Sequence, residues 1–234
     1  LVINKPAGIV THPAHAQTNV TIAEWAAHFR HDIKDAIYDK SNPISLARAG
    51  IVHRLDKNTS GVMIIAKNTK TMNFLAKQIQ THRTTKKYVA LLFGHLEQSP
   101  LTVHNWLGRS TIDRRQMTSV IVEEGREAKT IFTIKNLLTS VKGEKASLIM
   151  ARPITGRTHQ IRVHAKLIGH PILGDEVYGS KQSQMLSKRI GLTRQWLHAK
   201  SLTIILPNQT KATTFEAQLP DDLKKVLDRF LDSQ

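Results

Sequence analysis

The stretch from residue 101 to 151 restricts the fold of this chain most. Within it Thr130, Phe132 and Ile134 alternate with other residues, as do Leu148 and Met150, and Gly108, Gly125 and Gly143 interrupt the pattern. A period of two sends successive side chains to opposite faces of a strand, and the glycines mark turns between strands. Such strands pair antiparallel, with one face on a core. Helical periods flank this region. Met72, Leu75, Ala76 and Ile79 predict a helix over 69–80. Leu223, Val226, Leu227 and Phe230 follow Pro220-Asp221-Asp222, a helix start with acid in its first turn. Thr21-Ile22-Ala23-Glu24 has capping-box spacing ahead of Trp25, Ala26 and Phe29, predicting a helix over about 20–38. A further helix is expected over 158–168, stopped by Gly169-His170-Pro171. Short strands are expected at 1–4, 51–52, 62–66, 88–93, 202–206 and 214–217. The expected class is α+β: one domain over 1–234 around a large, mostly antiparallel mixed sheet flanked by helices.

Charge sets the next limit. Lys plus Arg total 34 against 18 Asp plus Glu, a formal net charge of +16. That excess predicts a polyanionic partner, with nucleic acid the natural one. The basic residues are spread along the chain, not gathered on one amphipathic helix, which disfavours an acidic membrane. No run reaches the roughly 18 apolar residues that span a bilayer. Aromatic residues are only 5%, too few for an extended base-stacking platform. The absence of cysteine excludes disulfides and thiol chemistry and suits a reducing cytoplasm. The chain opens on Leu1 in strand-like sequence, as an excised domain would.

One segment concentrates reactive chemistry: Gly50-Ile51-Val52-His53-Arg54-Leu55-Asp56-Lys57-Asn58-Thr59-Ser60-Gly61. Ile51 and Val52 read as strand, the polar run from Asp56 as a turn ending at Gly61, and 62–66 as a second strand. A carboxylate on such a turn, two residues from Arg54, stays ionised because the positive charge favours its charged form. It can attack an electrophilic carbon or move a proton. An ordinary Asx-turn aspartate with a surface arginine fits the same residues.

Three other segments could share a site. Thr84-Thr85-Lys86-Lys87-Tyr88 runs basic residues into a strand whose tyrosine can stack on a base or reach a reacting group, or simply pack. Gly156-Arg157-Thr158-His159-Gln160-Ile161-Arg162-Val163-His164 leads a glycine turn into a helix start rich in anion-binding side chains. His159 and Arg162, three apart, share a face of that expected helix. Gly174-Asp175-Glu176-Val177-Tyr178-Gly179 is a polar turn bounded by glycines. The 12 histidines show no zincin spacing, and His12, His15 and His53 have no carboxylate arranged beside them as a ligand set, so no metal site is expected. Neither a serine nucleophile elbow nor a phosphate-cradling loop occurs.

Read together, these segments resemble the RluA-type pseudouridine synthases, the large-subunit ribosomal pseudouridine synthase family. His53-Arg54-Leu55-Asp56 with Thr59-Ser60-Gly61 and Ala66-Lys67 is similar to the family signature, with Asn58 where an aspartate is common. Asn4-Lys5-Pro6-Ala7-Gly8, Lys87-Tyr88, the segment from Gly156 to His164, Gly169-His170-Pro171-Ile172, Gly174-Asp175, Leu197-His198-Ala199 and Leu219-Pro220-Asp221-Asp222 resemble its other motifs in order. The resemblance implies isomerisation of uridine to pseudouridine in structured RNA, with large-subunit rRNA foremost and tRNA as the alternative, without cofactor or metal, in a cleft across the sheet. It implies that Asp56 is the essential carboxylate, whether by attack on the ribose, attack on the base or abstraction of a sugar proton. Tyr88 would pack against the flipped uracil, Arg162 would pair with Asp56, and Arg54 would fill the gap that the uridine leaves. His53, Lys86, Lys87, Arg157 and His159 would contact RNA. Many members carry a small S4-like RNA-binding domain at the N-terminus, absent from this chain. A cytoplasmic monomer with no membrane contact is expected. Two rivals fit the same basic surface: a non-catalytic RNA-binding or ribosome-assembly factor, and a nucleic-acid glycosidase that releases the base.

Overall fold

The alternating stretch folds as its period predicts. Strand β4 (Leu101–Arg109) pairs antiparallel with β5 (Met117–Val120) and with β6 (Arg126–Thr139), β6 pairs with β7 (Lys145–Pro153), and β7 with β3 (Thr85–Phe93). This is a computed structural model in which residues 1–12, 20–29, 33, 50–114 and 116–231 are described. The remaining elements are β1 (Val2–Lys5), α1 (Ile22–Phe29), β2 (Ser60–Ile64), α2 (Thr69–Gln80), α3 (Gln160–Leu167), α4 (Lys181–Arg189), β8 (Leu197–Ile205), β9 (Ala212–Glu216) and α5 (Asp221–Leu231). The chain therefore adopts the expected α+β class, one domain with a large sheet. Its contacts cluster into two compact units: Leu1–Thr85 with Ala199–Gln218, and Lys86–His198 with Leu219–Gln234.

In the second unit the strand order is β3-β7-β6-β4-β5. Directly opposed residues of antiparallel strands share a face, so Tyr88, Ala151, Phe132 and Leu101 line up across four strands. That face belongs to a core with Ala90, Ile161, Ala165, Trp196 and Phe230, all buried. Trp196 lies fully inside, so its indole N–H needs a partner. It donates to Leu223 O at 2.9 Å, which fastens the start of α5 to the core.

In the first unit the order is β1-β2-β8, with β9 on β8. Gly61 explains the glycine that closes the Asp56 segment. Its φ is +126°, and a Cβ there would stand 2.6 Å from the backbone nitrogen of Ala199. Only glycine lets β8 come this close to β2. Below β2, Ile22, Ala26, Ile33, Ile51, Met63 and Ile65 form a separate apolar cluster.

Two expectations need revision, and one helix was not expected. Residues 51–52 do not form a strand: Ile51 makes a single bridge to Ile65. The cause is His53, whose Nε2 accepts the Ile64 N–H at 3.0 Å and so occupies a donor that a continuing strand would use. The helix expected over 158–168 starts only at Gln160, because His159 takes a left-handed conformation at φ +54°. Helix α4 was absent from the sequence reading; the Ser180 side chain caps it by accepting Ser183 N–H at 3.1 Å. The capping box is present, with Glu24 N–H donating to Thr21 Oγ1 at 3.2 Å and Thr21 N–H to Glu24 Oε2 at 2.8 Å. Most of the span expected to continue that helix to 38 lies outside the described residues. No helix among the described residues is long and apolar enough to cross a membrane.

Candidate active site

Asp56 lies in the first unit, half-buried, at the start of a turn closed by Thr59 N–H donating to Asp56 O at 3.0 Å. Both of its neighbours are fixed. On one side Thr11 Oγ1 donates to Leu55 O at 2.9 Å and accepts Leu55 N–H at 3.3 Å. On the other, Lys57 O accepts from Gly8 N–H at 2.8 Å and from Lys5 Nζ at 3.1 Å. Lys5 has no exposure at all, and its ammonium also donates to Pro6 O at 2.7 Å and Ile9 O at 2.8 Å. A buried ammonium is tolerated only when its donors are used. Here they tie the opening turn of the chain to the loop that presents the aspartate. The loop is thus pre-organised on rigid neighbours, as a reactive carboxylate requires. Arg54 in the same loop is exposed, while His53 is held by β2 through its ring.

The second unit holds the remaining candidates. Tyr88 is half-buried on β3 opposite Ala151, and Lys87 beside it is exposed. Lys86 lies against the Gly156 turn, where a Cβ on Gly156 would be 3.5 Å from its Nζ; burial holds this ammonium below the usual lysine range. Arg157, half-buried, donates through Nε to Glu127 O at 2.8 Å. The turn is latched by Gln160. Its Oε1 accepts from Thr155 Oγ1 at 2.6 Å and Arg157 N–H at 3.0 Å, and its Nε2 donates to Lys129 O at 3.0 Å and Thr130 Oγ1 at 2.9 Å.

Arg162 follows on α3 and is buried. Its Nε donates to Asp175 Oδ2 at 2.7 Å and its Nη2 to Asp175 Oδ1 at 2.9 Å. The Arg162 Cζ stands 5.0 Å from the centroid of the Tyr178 ring. The Tyr178 hydroxyl accepts Met117 N–H at 2.8 Å and lies 2.9 Å from His159 Nδ1. So His159 and Arg162 do converge, although on Tyr178 and not along one helix face. His164, behind them, lies 2.9 Å from both Thr130 Oγ1 and Asn105 Oδ1. Burial first, and the charge of His104 second, push its pKa down to about 4. It is a neutral scaffold group at physiological pH.

Sequence reasoning named candidate site side chains but gave no role to those that hold them: Lys5, Thr11, Gln160, Asp175 and Tyr178. For two of these a signal existed. Asp175 and Tyr178 sit three apart between glycines, and Gly174, at φ +79°, lies so close to the Arg194 backbone that no side chain fits there.

A rigidly held carboxylate loop in one unit, and an oriented guanidinium with a strand tyrosine in the other, are parts suited to nucleic-acid chemistry on a strongly basic chain. Residues 1–167 match the family model described as RNA pseudouridylate synthase. The chain belongs to that family, and its relatives place it among the RluA-type members. Ribosomal large subunit pseudouridine synthase D of Zymomonas mobilis is 38% identical over 230 residues, which cover 96% of this chain and 68% of that protein. The protein of the same name from Nitrosomonas europaea is 35% identical, covering 97% of this chain and 61% of the relative. Dual-specificity RNA pseudouridine synthase RluA of Vibrio parahaemolyticus is 34% identical, covering 88% and 74%. The chain thus spans about two thirds of the length of these relatives. Among solved structures, human RNA pseudouridylate synthase domain containing 4 aligns with a TM-score of 0.71 at 25% identity, over 98% of this chain and 89% of that one. The human domain containing 1 protein aligns with a TM-score of 0.69, also at 25% identity, over 94% and 79%.

Proposed function

We propose that this chain is an RNA pseudouridine synthase acting on structured RNA, with large-subunit rRNA as its substrate and tRNA as the alternative. The reading rests above all on the family match over residues 1–167, a span that includes Asp56, Tyr88 and Arg162. The reaction is an isomerisation. The bond between ribose C1′ and uracil N1 breaks, the base turns, C1′ bonds to C5, and the C5 proton is lost while N1 regains one. Asp56 supplies the carboxylate, by attack on the ribose, attack on the base or removal of a sugar proton. Arg162 pairs with Asp56 and keeps it ionised and oriented. Tyr88 packs on the uracil, which must be taken out of its stack at a cost of a few kcal/mol. Arg54 fills the vacated space. His53, Lys86, Lys87, Arg157 and His159 contact the RNA, and the net charge of +16 offsets the unstacking through phosphate contacts and counterion release. The enzyme works as a cytoplasmic monomer without metal or cofactor.

Mapping pseudouridine in rRNA and tRNA from cells with and without the gene tests this reading. Loss of one or more large-subunit sites, restored by the purified enzyme on the unmodified RNA, is the expected result. Unchanged maps would favour a non-catalytic RNA-binding role, and free uracil with an abasic product would favour a glycosidase.

A further inference from the structure

We propose that Asp175 and Tyr178 are positioning residues that set the guanidinium of Arg162 for its work on Asp56; this rests on the reading of Asp56 and Arg162 given above. The glycine-bounded turn that carries both has no part in that reading, yet a buried cation held at two points lies against it. Two guanidinium nitrogens are engaged by Asp175, at 2.7 and 2.9 Å, which fixes the plane of the fork. Asp175 is itself over-determined. Its Oδ1 also accepts the N–H groups of Val177 and Tyr178, each at 3.0 Å, and its side chain has no exposure. The Tyr178 ring lies 5.0 Å from the Arg162 Cζ, and its hydroxyl is pinned by Met117 N–H and His159. An arginine has four side-chain torsions; held by its edge and faced by a ring, it keeps one geometry.

Stability alone accounts poorly for this arrangement. A buried ion pair is often no better than well-packed apolar residues of the same volume. An oriented guanidinium, by contrast, is what a reacting carboxylate needs, because small misplacements at a reacting centre cost rate and not binding.

The test measures kcat and KM on an rRNA fragment for the wild type, Asp56→Asn, Arg162→Lys, Asp175→Asn and the Arg162→Lys/Asp175→Asn double variant, with thermal melting as the check of folding. Asp175→Asn is expected to lower kcat by about 10²-fold with KM little changed, and the double variant to be no slower than Arg162→Lys. A wild-type kcat in Asp175→Asn, or losses that multiply in the double variant, would overturn the proposal. If Asp175→Asn does not fold, Tyr178→Phe and Tyr178→Leu decide. Tyr178→Phe, which keeps the ring but loses the hydroxyl contacts, should lose less kcat than Tyr178→Leu, and equal rates would overturn the proposal. Product formation by Asp56→Asn would instead bring down the underlying reading, and this inference with it.

Discussion

The guanidinium of Arg162 and the carboxylate of Asp175 meet in a two-point ion pair with both side chains withdrawn from water, at 6% and 0% exposure. Breaking such a pair from one side strands the other charge. Arg162→Leu should therefore lower stability by about 3–5 kcal/mol. Arg162→Lys should cost less, because it keeps a charge beside Asp175, yet still lose about 10²-fold in kcat/KM, since a point charge does not reproduce the fork. Denaturant titration and steady-state kinetics on an rRNA fragment measure both. Near-normal turnover of Arg162→Lys would remove Arg162 from the site.

Gly61 tests the packing that holds the Asp56 loop. Alanine there would combine a positive φ with a Cβ 2.6 Å from the Ala199 nitrogen. We expect Gly61→Ala to destabilise by roughly 2–4 kcal/mol, read as a lower denaturation midpoint. A midpoint within error of the wild type would show that β2 and β8 can separate at little cost.

Stability should fall in mild acid through His164. Its folded pKa of about 4 lies below the unfolded value near 6.5, so between these limits the unfolded chain binds more protons. The contribution is complete above about pH 6.5 and is lost as pH drops toward 4, by at most about 3 kcal/mol. His164→Gln should flatten this part of the profile when unfolding is compared at pH 7.5 and 4.5. An unchanged slope would assign the acid sensitivity to other groups.

Tyr88 distinguishes packing from proton transfer. If its ring supports the flipped base, Tyr88→Phe should retain far more activity than Tyr88→Ala under single-turnover conditions. Equal losses would point to the hydroxyl.

What was legible in the sequence followed from periodicity and local chemistry. The meander was visible because half-buried strands alternate, and α2 was predicted with its observed bounds because Met72, Leu75, Ala76 and Ile79 recur at helical spacing. Helix α4 was not visible: Lys181–Arg189 is mostly polar and buries only Ser183, Leu186 and Ser187. The short strand at 51–52 was misread because a histidine ring replaced a backbone acceptor, an event with no sequence period. Lys5 stood only as part of the Asn4–Gly8 motif, because its acceptors, Pro6, Ile9 and Lys57, are carbonyls that only the folded chain gathers. Asp175 and Tyr178 were seen as a turn, but their partner lies 13 residues from Asp175 on another element. Candidate site residues can thus be picked out from motifs, whereas the groups that hold them depend on tertiary structure.

The most direct measurement compares Asp56→Asn with the wild type for pseudouridine formation and for RNA affinity at the same salt concentration. The substitution preserves shape, removes the charge and replaces one acceptor oxygen with an amide donor. Loss of product with RNA affinity retained is the predicted result. Pseudouridine formed at a comparable rate by the asparagine variant would contradict the account.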